Sequence, residues 1–287
     1  MSFPFTVPLT PKEVITPTSV QRAPLGTRGM TADGRVYRYA RGGATALVKG
    51  YLCQSENTGL DWNNATCSYL STDWLVDSYV NATAIPVSTT FLNLSATMGA
   101  NMNASRNLFK EGWLFISGTS TSAGQTIKIA SHTAASSGST GIGATGGKCV
   151  VQFEAGYALS EPIDTAAEIS LVKNEYDDLV VAPIATEAQI VGAPNVDVSA
   201  TYYFWLQTWG PCALKSEAEA ITAGKPVYNS TQTAGGIQGV TGSTDFVGGD
   251  SGGYANSGRM IGHVISSSGT AVLQASCNIL VHLTLAP

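Results

Sequence analysis

The chain has 287 residues, enough to bury a large core and to suit two or three domains. Charged residues make up 12% of it, about half of the ~25% usual for a globular domain, and the formal net charge is −5. That balance excludes the basic face a nucleic-acid binder needs, and no run of about 18 apolar residues is present to span a membrane. The start, Met1-Ser-Phe-Pro-Phe-Thr-Val-Pro8, lacks the basic segment and apolar stretch of a signal peptide. Gly, Ser, Thr, Ala and Asn fill much of the chain, a composition suited to a protein packed against others.

Residues 1–30 hold prolines at 4, 8, 11, 17 and 24, a spacing that blocks helix and inner-strand pairing. The expectation is an extended N-terminal arm, with Phe3, Phe5 and Val7 as apolar contacts for a partner. Residues 31–95 read as an N-terminal β region. Ala32-Asp33-Gly34 is a turn, Arg35-Val-Tyr-Arg-Tyr-Ala40 a strand, Gly42-Gly43 a second turn and Ala46–Leu52 another apolar run. Residues 96–182 are expected to be an inserted middle β domain. Its strands are Gly112–Ser117, Gln125–Ala130, Cys149–Phe153, Glu168–Val172 and Leu179–Ala182, and a Ser/Gly-rich loop covers 134–147. The remainder, 183–287, reads as a C-terminal β domain. Thr201-Tyr-Tyr-Phe-Trp-Leu-Gln-Thr208 is an aromatic strand, and the terminal strand alternates strictly. Cys277, Ile279, Val281, Leu283 and Leu285 share one face. The fold class expected is all-β: antiparallel sandwich or barrel-like domains with little helix.

Candidate partner-binding residues are Tyr202, Tyr203, Phe204, Trp205 and Trp209, together with Phe3, Phe5 and Val7 of the arm. A strand with aromatics on both faces needs cover on both, and a second subunit is the expected cover. The same aromatics are also a candidate sugar platform. The cysteines Cys53, Cys67, Cys149, Cys212 and Cys277 are scattered, with no Cys or His at zinc spacing, so buried free thiols are expected and no metal or cofactor. Glu175, Asp177 and Asp178, with Asp164, read as a solvated acidic turn. His263 and His282 read as surface or interface polar groups.

Three segments carry a resemblance. They are Pro24-Leu-Gly-Thr27 with Asp33–Ala40 and the Gly-Gly turn; Tyr203-Phe-Trp-Leu-Gln-Thr-Trp-Gly-Pro211 with Thr222-Ala-Gly-Lys-Pro-Val-Tyr228; and Ile261-Gly-His-Val-Ile265 with the terminal strand. In this order they resemble the head decoration, or cement, proteins of tailed bacteriophages, over about a third of the chain. The resemblance implies a non-enzymatic structural protein, made in the host cytoplasm, on the capsid surface of the virion. Its partners would be the major capsid protein and other copies of itself, as a trimer or dimer. A carbohydrate-binding virion module for host adsorption is the alternative.

A second resemblance competes with the first. Gly249-Asp250-Ser251-Gly252-Gly253 resembles the nucleophile loop of chymotrypsin-like serine proteases, with Asp245 six residues before the serine and His132 upstream. The match departs from that pattern at two places. Tyr254 replaces the usual proline, and Thr133-Ala134-Ala135 follows the histidine instead of preceding it. A glycine-rich turn in which Asp250 and Ser251 bond the backbone accounts for the motif without chemistry.

Overall fold

A computed structural model describes residues 6–55, 87–94, 106–118, 121, 123–133, 149–163, 167–184, 189–217, 221–230, 232–239, 260–266 and 278–286. In chain order the elements are β1 (Thr6–Leu9), α1 (Pro11–Val14), β2 (Arg28–Thr31), β3 (Val36–Arg41), β4 (Cys53–Ser55), β5 (Phe91–Leu94), β6 (Trp113–Gly118), β7 (Thr126–His132), β8 (Cys149–Phe153), β9 (Ala167–Val172), β10 (Leu179–Val181), β11 (Ile190–Pro194), β12 (Tyr203–Lys215), β13 (Pro226–Asn229), β14 (Ile237–Gly239), β15 (Met260–Ser266) and β16 (Asn278–Thr284). The fold is all-β, as composition and alternation predict. Its only described helix is the four-residue α1.

Two units divide the chain. The first joins Met1–Glu56 to Glu175–Pro287, and the second is Asn57–Asn174. The sequence reading placed the insertion at 96–182. Residues 179–181 belong instead with the first unit, because β10 pairs antiparallel with β4, Ser55 opposite Leu179. The chain therefore leaves the first unit and re-enters it on adjacent strands.

The first unit holds an 11-stranded sheet with the path β1-β2-β3-β12-β16-β15-β13-β14; β11 pairs with β12 and β4, and β10 with β4. The 13-residue β12 is its spine. Its first half pairs with β3 from Tyr203 opposite Arg41 to Gln207 opposite Tyr37. Its second half pairs with β16 from Trp209 opposite Thr284 to Lys215 opposite Asn278. Between the halves the register against β3 slips, and Gly210 takes φ +89°. A left-handed residue costs glycine little, and the slip is a bulge that re-aims the strand. The predicted alternation of β16 holds, since Ile279, Val281 and Leu283 are buried with Cys212, Leu214 and Ile261 while Leu280 is exposed. A second cluster gathers Tyr37, Ala40, Leu47, Val191, Phe204 and Leu206. The run Ala46–Leu52 forms no strand: Leu47 bridges Val198 and Gly50 turns at φ +77°, so the run buries its leucines from a loop.

The N-terminal segment departs from the expected free arm. β1 pairs in parallel with β2, Leu9 opposite Thr31, and Leu9 and Val14 are buried. Pro8 fits because β1 is an edge strand that needs no second ladder. Thr10 caps α1 in a reciprocal box with Glu13, with Pro11 in the first turn.

The second unit is a five-stranded antiparallel sheet in the order β5-β8-β7-β6-β9. Leu114, Ile116, Ile127, Ile129, Val151 and Phe153 alternate inward from β6, β7 and β8 and pack on Phe109 and Leu159.

Candidate interaction surfaces

The aromatic strand splits by face as a strand must. Phe204 and Leu206 point into the core, whereas Tyr203 and Trp205 lie on the other face beside Tyr39 of β3, which is opposite Trp205 in register. Tyr39 meets Trp205 edge to face at 5.0 Å between centroids and stacks on Tyr203 at 6.0 Å. This second face was expected to need another subunit. The chain covers it instead. Thr18 and Tyr203 exchange backbone hydrogen bonds at 2.8 Å each way, and the Arg22 N–H donates to the Tyr39 hydroxyl at 2.9 Å. Leu9 and Trp205 close over Gly29 so tightly that a Cβ there would overlap the Leu9 Cδ1 and stand 2.9 Å from the Trp205 Cζ3. The prolines that suggested a detached arm are those of a strap lying over the sheet.

A cleft of about 360 Å³ remains between Val7, Lys12 and Arg22 on the strap and Tyr203 on the strand. Trp205 is 9% and Tyr39 3% exposed, so little ring face is open to a sugar. Of the predicted contact residues that are described, Val7 and Tyr202 are the exposed ones, at 40% and 36%. Tyr203 and Trp209 are half-buried and Phe204 is core. Phe3 and Phe5 lie outside the described residues.

Past the bulge, Trp209 turns to the opposite surface. The bulge is held by the buried Gln207 amide, whose Nε2 lies 3.1, 3.3 and 2.8 Å from the carbonyls of Trp209, Gly210 and Pro211. Its Oε1 accepts from the Asn195 Nδ2 at 2.8 Å, and that Nδ2 also lies 3.2 Å from the Tyr37 hydroxyl. Burial pushes the Tyr37 phenol up to about 12. Trp209 then meets His282 edge on at 5.5 Å, and His282 stacks on His263 at 5.1 Å and 13°. The register explains the stack. Pro211, His282, His263 and Pro226 are directly opposite one another across β12, β16, β15 and β13. This row was not legible as a surface in the sequence, where its members lie up to 71 residues apart. The alternation of β16 signals that His282 faces out, but not that β15 is its neighbour.

The protease residues do not form a described site. Ser251, Asp250 and Asp245 lie outside the described residues, as does Asp164. His132 is buried in β7. Its Nε2 accepts the Phe109 N–H at 2.9 Å, which leaves the proton on Nδ1, 2.7 Å from the Thr133 carbonyl. Burial pulls its pKa down. Both ring nitrogens are thus committed to backbone, whereas a triad base needs Nε2 for the serine proton. The expected solvated acidic turn is also different. Asp177 is buried and takes a bidentate pair from Arg41 at 2.6 and 3.1 Å, and Asp178 joins at 3.2 Å. Among the described residues, no group of three or more His, Cys, Asp or Glu is placed to hold a metal. Cys53 and Cys212 are free and buried, as expected of these thiols; burial raises both, Cys212 to about 12. Cys67 and Cys277 are outside the described residues. No described helix is long and apolar enough to cross a membrane.

Searches against protein-family models, curated proteins and solved structures return no match to this chain.

Proposed function

We propose that this chain is a structural protein of a phage virion that binds the outside of the assembled capsid and stabilises the lattice. One observation carries the reading. The segments that resemble decoration proteins are far apart in sequence, yet their strands β3, β12, β16, β15 and β13 are consecutive neighbours in one sheet. A chance likeness of short segments has no reason to assemble into one continuous module. The low charge, the strap and the exposed Val7 and Tyr202 agree with a protein held against other proteins. Binding only the assembled lattice stabilises it by mass action. Copies associate with one another as a trimer or dimer around lattice axes, and the chain carries no catalytic role. The test is co-sedimentation of the purified full chain with heads, lacking it, of the phage that encodes it. Saturable binding to heads, absent with unassembled capsid protein, is expected. Failure to bind heads would refute the reading.

A further inference from the structure

The chain has three histidines. His132 is buried, with both ring nitrogens held by backbone groups. His263 and His282 are the opposite case. They stand directly opposite each other on the antiparallel strands β15 and β16, with ring centroids 5.1 Å apart and 13° between the ring planes. His263 is exposed and His282 half-buried. Neither ring has a hydrogen bond or an ion pair with a described residue. Their other neighbours in the row are Pro211 beside His282 and Pro226 beside His263. A proline has no N–H and no polar side-chain atom, so the row offers the imidazoles no rival partner. Trp209 packs edge on against His282 at 5.5 Å and limits how that ring can turn.

We propose that His263 and His282 together bind one divalent transition-metal ion of the kind imidazole favours, Cu²⁺, Ni²⁺ or Zn²⁺. The site is independent of the proposed function. Directly opposed residues on paired strands have Cβ atoms ~5 Å apart, so the two imidazoles project side by side from one base. An ion held at ~2.1 Å by one nitrogen of each ring needs those nitrogens about 3 Å apart. Stacked rings with centroids 5.1 Å apart reach that spacing when their outer edges lean together, with no change in the strands. The strands themselves are fixed, because β16 also pairs with β12 and β15 with β13. Little order is therefore lost on binding. The uncommitted nitrogens matter as much as the spacing. An imidazole already bonded through both nitrogens, as His132 is, gives up a bond to take a metal, and these two give up only water. Two protein ligands leave two of four positions to water or to a group from a partner, so the ion is exchangeable. It ties β15 to β16 and binds only where the fold brings the pair together, so it stabilises the first unit by mass action. The net charge of −5 favours the approach of a cation.

The experiment titrates the full chain with Cu²⁺, without an affinity tag, stripped with EDTA and with any exposed thiol blocked by iodoacetamide. Saturable binding of one ion per chain is expected, and the electron paramagnetic resonance spectrum should show nitrogen splitting from two imidazoles. At an excess of about 100-fold over the dissociation constant, the thermal midpoint of the first unit should rise by about 5 °C or more. Mg²⁺, which takes oxygen ligands, should not compete. His263→Asn and His282→Asn, each checked for folding by circular dichroism, should weaken binding at least tenfold and leave splitting from one imidazole. Ile265→Asn, at an exposed position on the same strand, should bind as the parent. One ion per two chains, still lost in either histidine variant, would keep the site and make it a bridge between copies. Absence of saturable binding would overturn the proposal. So would an affinity unchanged in either histidine variant, which would assign the ion to other ligands.

Discussion

Gln207→Met tests whether one buried amide holds the geometry of the long strand. The replacement keeps the side-chain length and removes every polar atom. An amide has two N–H donors, so of the three carbonyls around Nε2, those of Trp209, Gly210 and Pro211, two are bonded at once. Losing two donors and the acceptor of the Asn195 bond, at about 1 kcal/mol each, removes about 3 kcal/mol. For a unit of this size each kcal/mol shifts the midpoint by about 2–4 °C, so the first unit should melt roughly 6–12 °C lower. Scanning calorimetry of the full chain reads this shift. A midpoint within about 2 °C of the parent would mean that water or backbone relaxation replaces the amide, and that Gln207 is not what holds the bulge.

Leu9→Ala should loosen the strap by about 2–4 kcal/mol of local packing, seen as faster tryptic cleavage after Lys12 and Arg22 with the rest of the first unit resistant. His132→Leu orphans the Phe109 N–H and should cost the second unit about 1–3 kcal/mol at neutral pH. The sign with pH follows from the lowered pKa: the neutral imidazole is favoured when folded, so its stabilisation is present above about 6.5, the unfolded value, and is lost as pH falls further. Urea unfolding of the parent should therefore weaken below that pH, and the slope should flatten in His132→Leu. A fluorophosphonate probe should leave Ser251 unlabelled; stoichiometric labelling would revive the hydrolase reading.

How much was legible in the sequence varied with the kind of signal. The Asp33-Gly34 turn, β3 and the terminal strand were readable because local chemistry decides them: Gly34 takes φ +84°, and one-face burial enforces period two along β16. α1 carries the Thr-x-x-Glu box and an N-terminal proline, a legible signal outweighed by the surrounding prolines. β11 was hidden because Ile190-Val-Gly-Ala-Pro194 is buried throughout and shows no alternation. Pairing was harder still. That β10 belongs with β4, or that His263 faces His282, is set by contacts between distant strands, which one sequence does not encode as a period. The aromatic strand needs cover on both faces, and Phe204 and Trp205 are both buried. Which chain supplies that cover depends on where a proline-rich segment docks, and Leu9 and Val14 are too few apolar residues to announce it.

The adjacency of β4 and β10 bears on the order of assembly. While the second unit is unfolded, pairing Ser55 with Leu179 must close a loop of about 120 residues. Once β5 to β9 have paired, the stretch from Phe91 to Val172 is no longer free chain, which shortens the loop to be closed and lowers its closure entropy. The second unit, whose strands pair within one continuous stretch, is the kinetically favoured first step, and the split sheet around it closes afterwards. A nascent chain gains from this order, because residues 57–174 emerge from the ribosome before the partners that β3 and β4 await. Mutations that slow the inserted unit should therefore delay the other sheet as well, although the two share no strand.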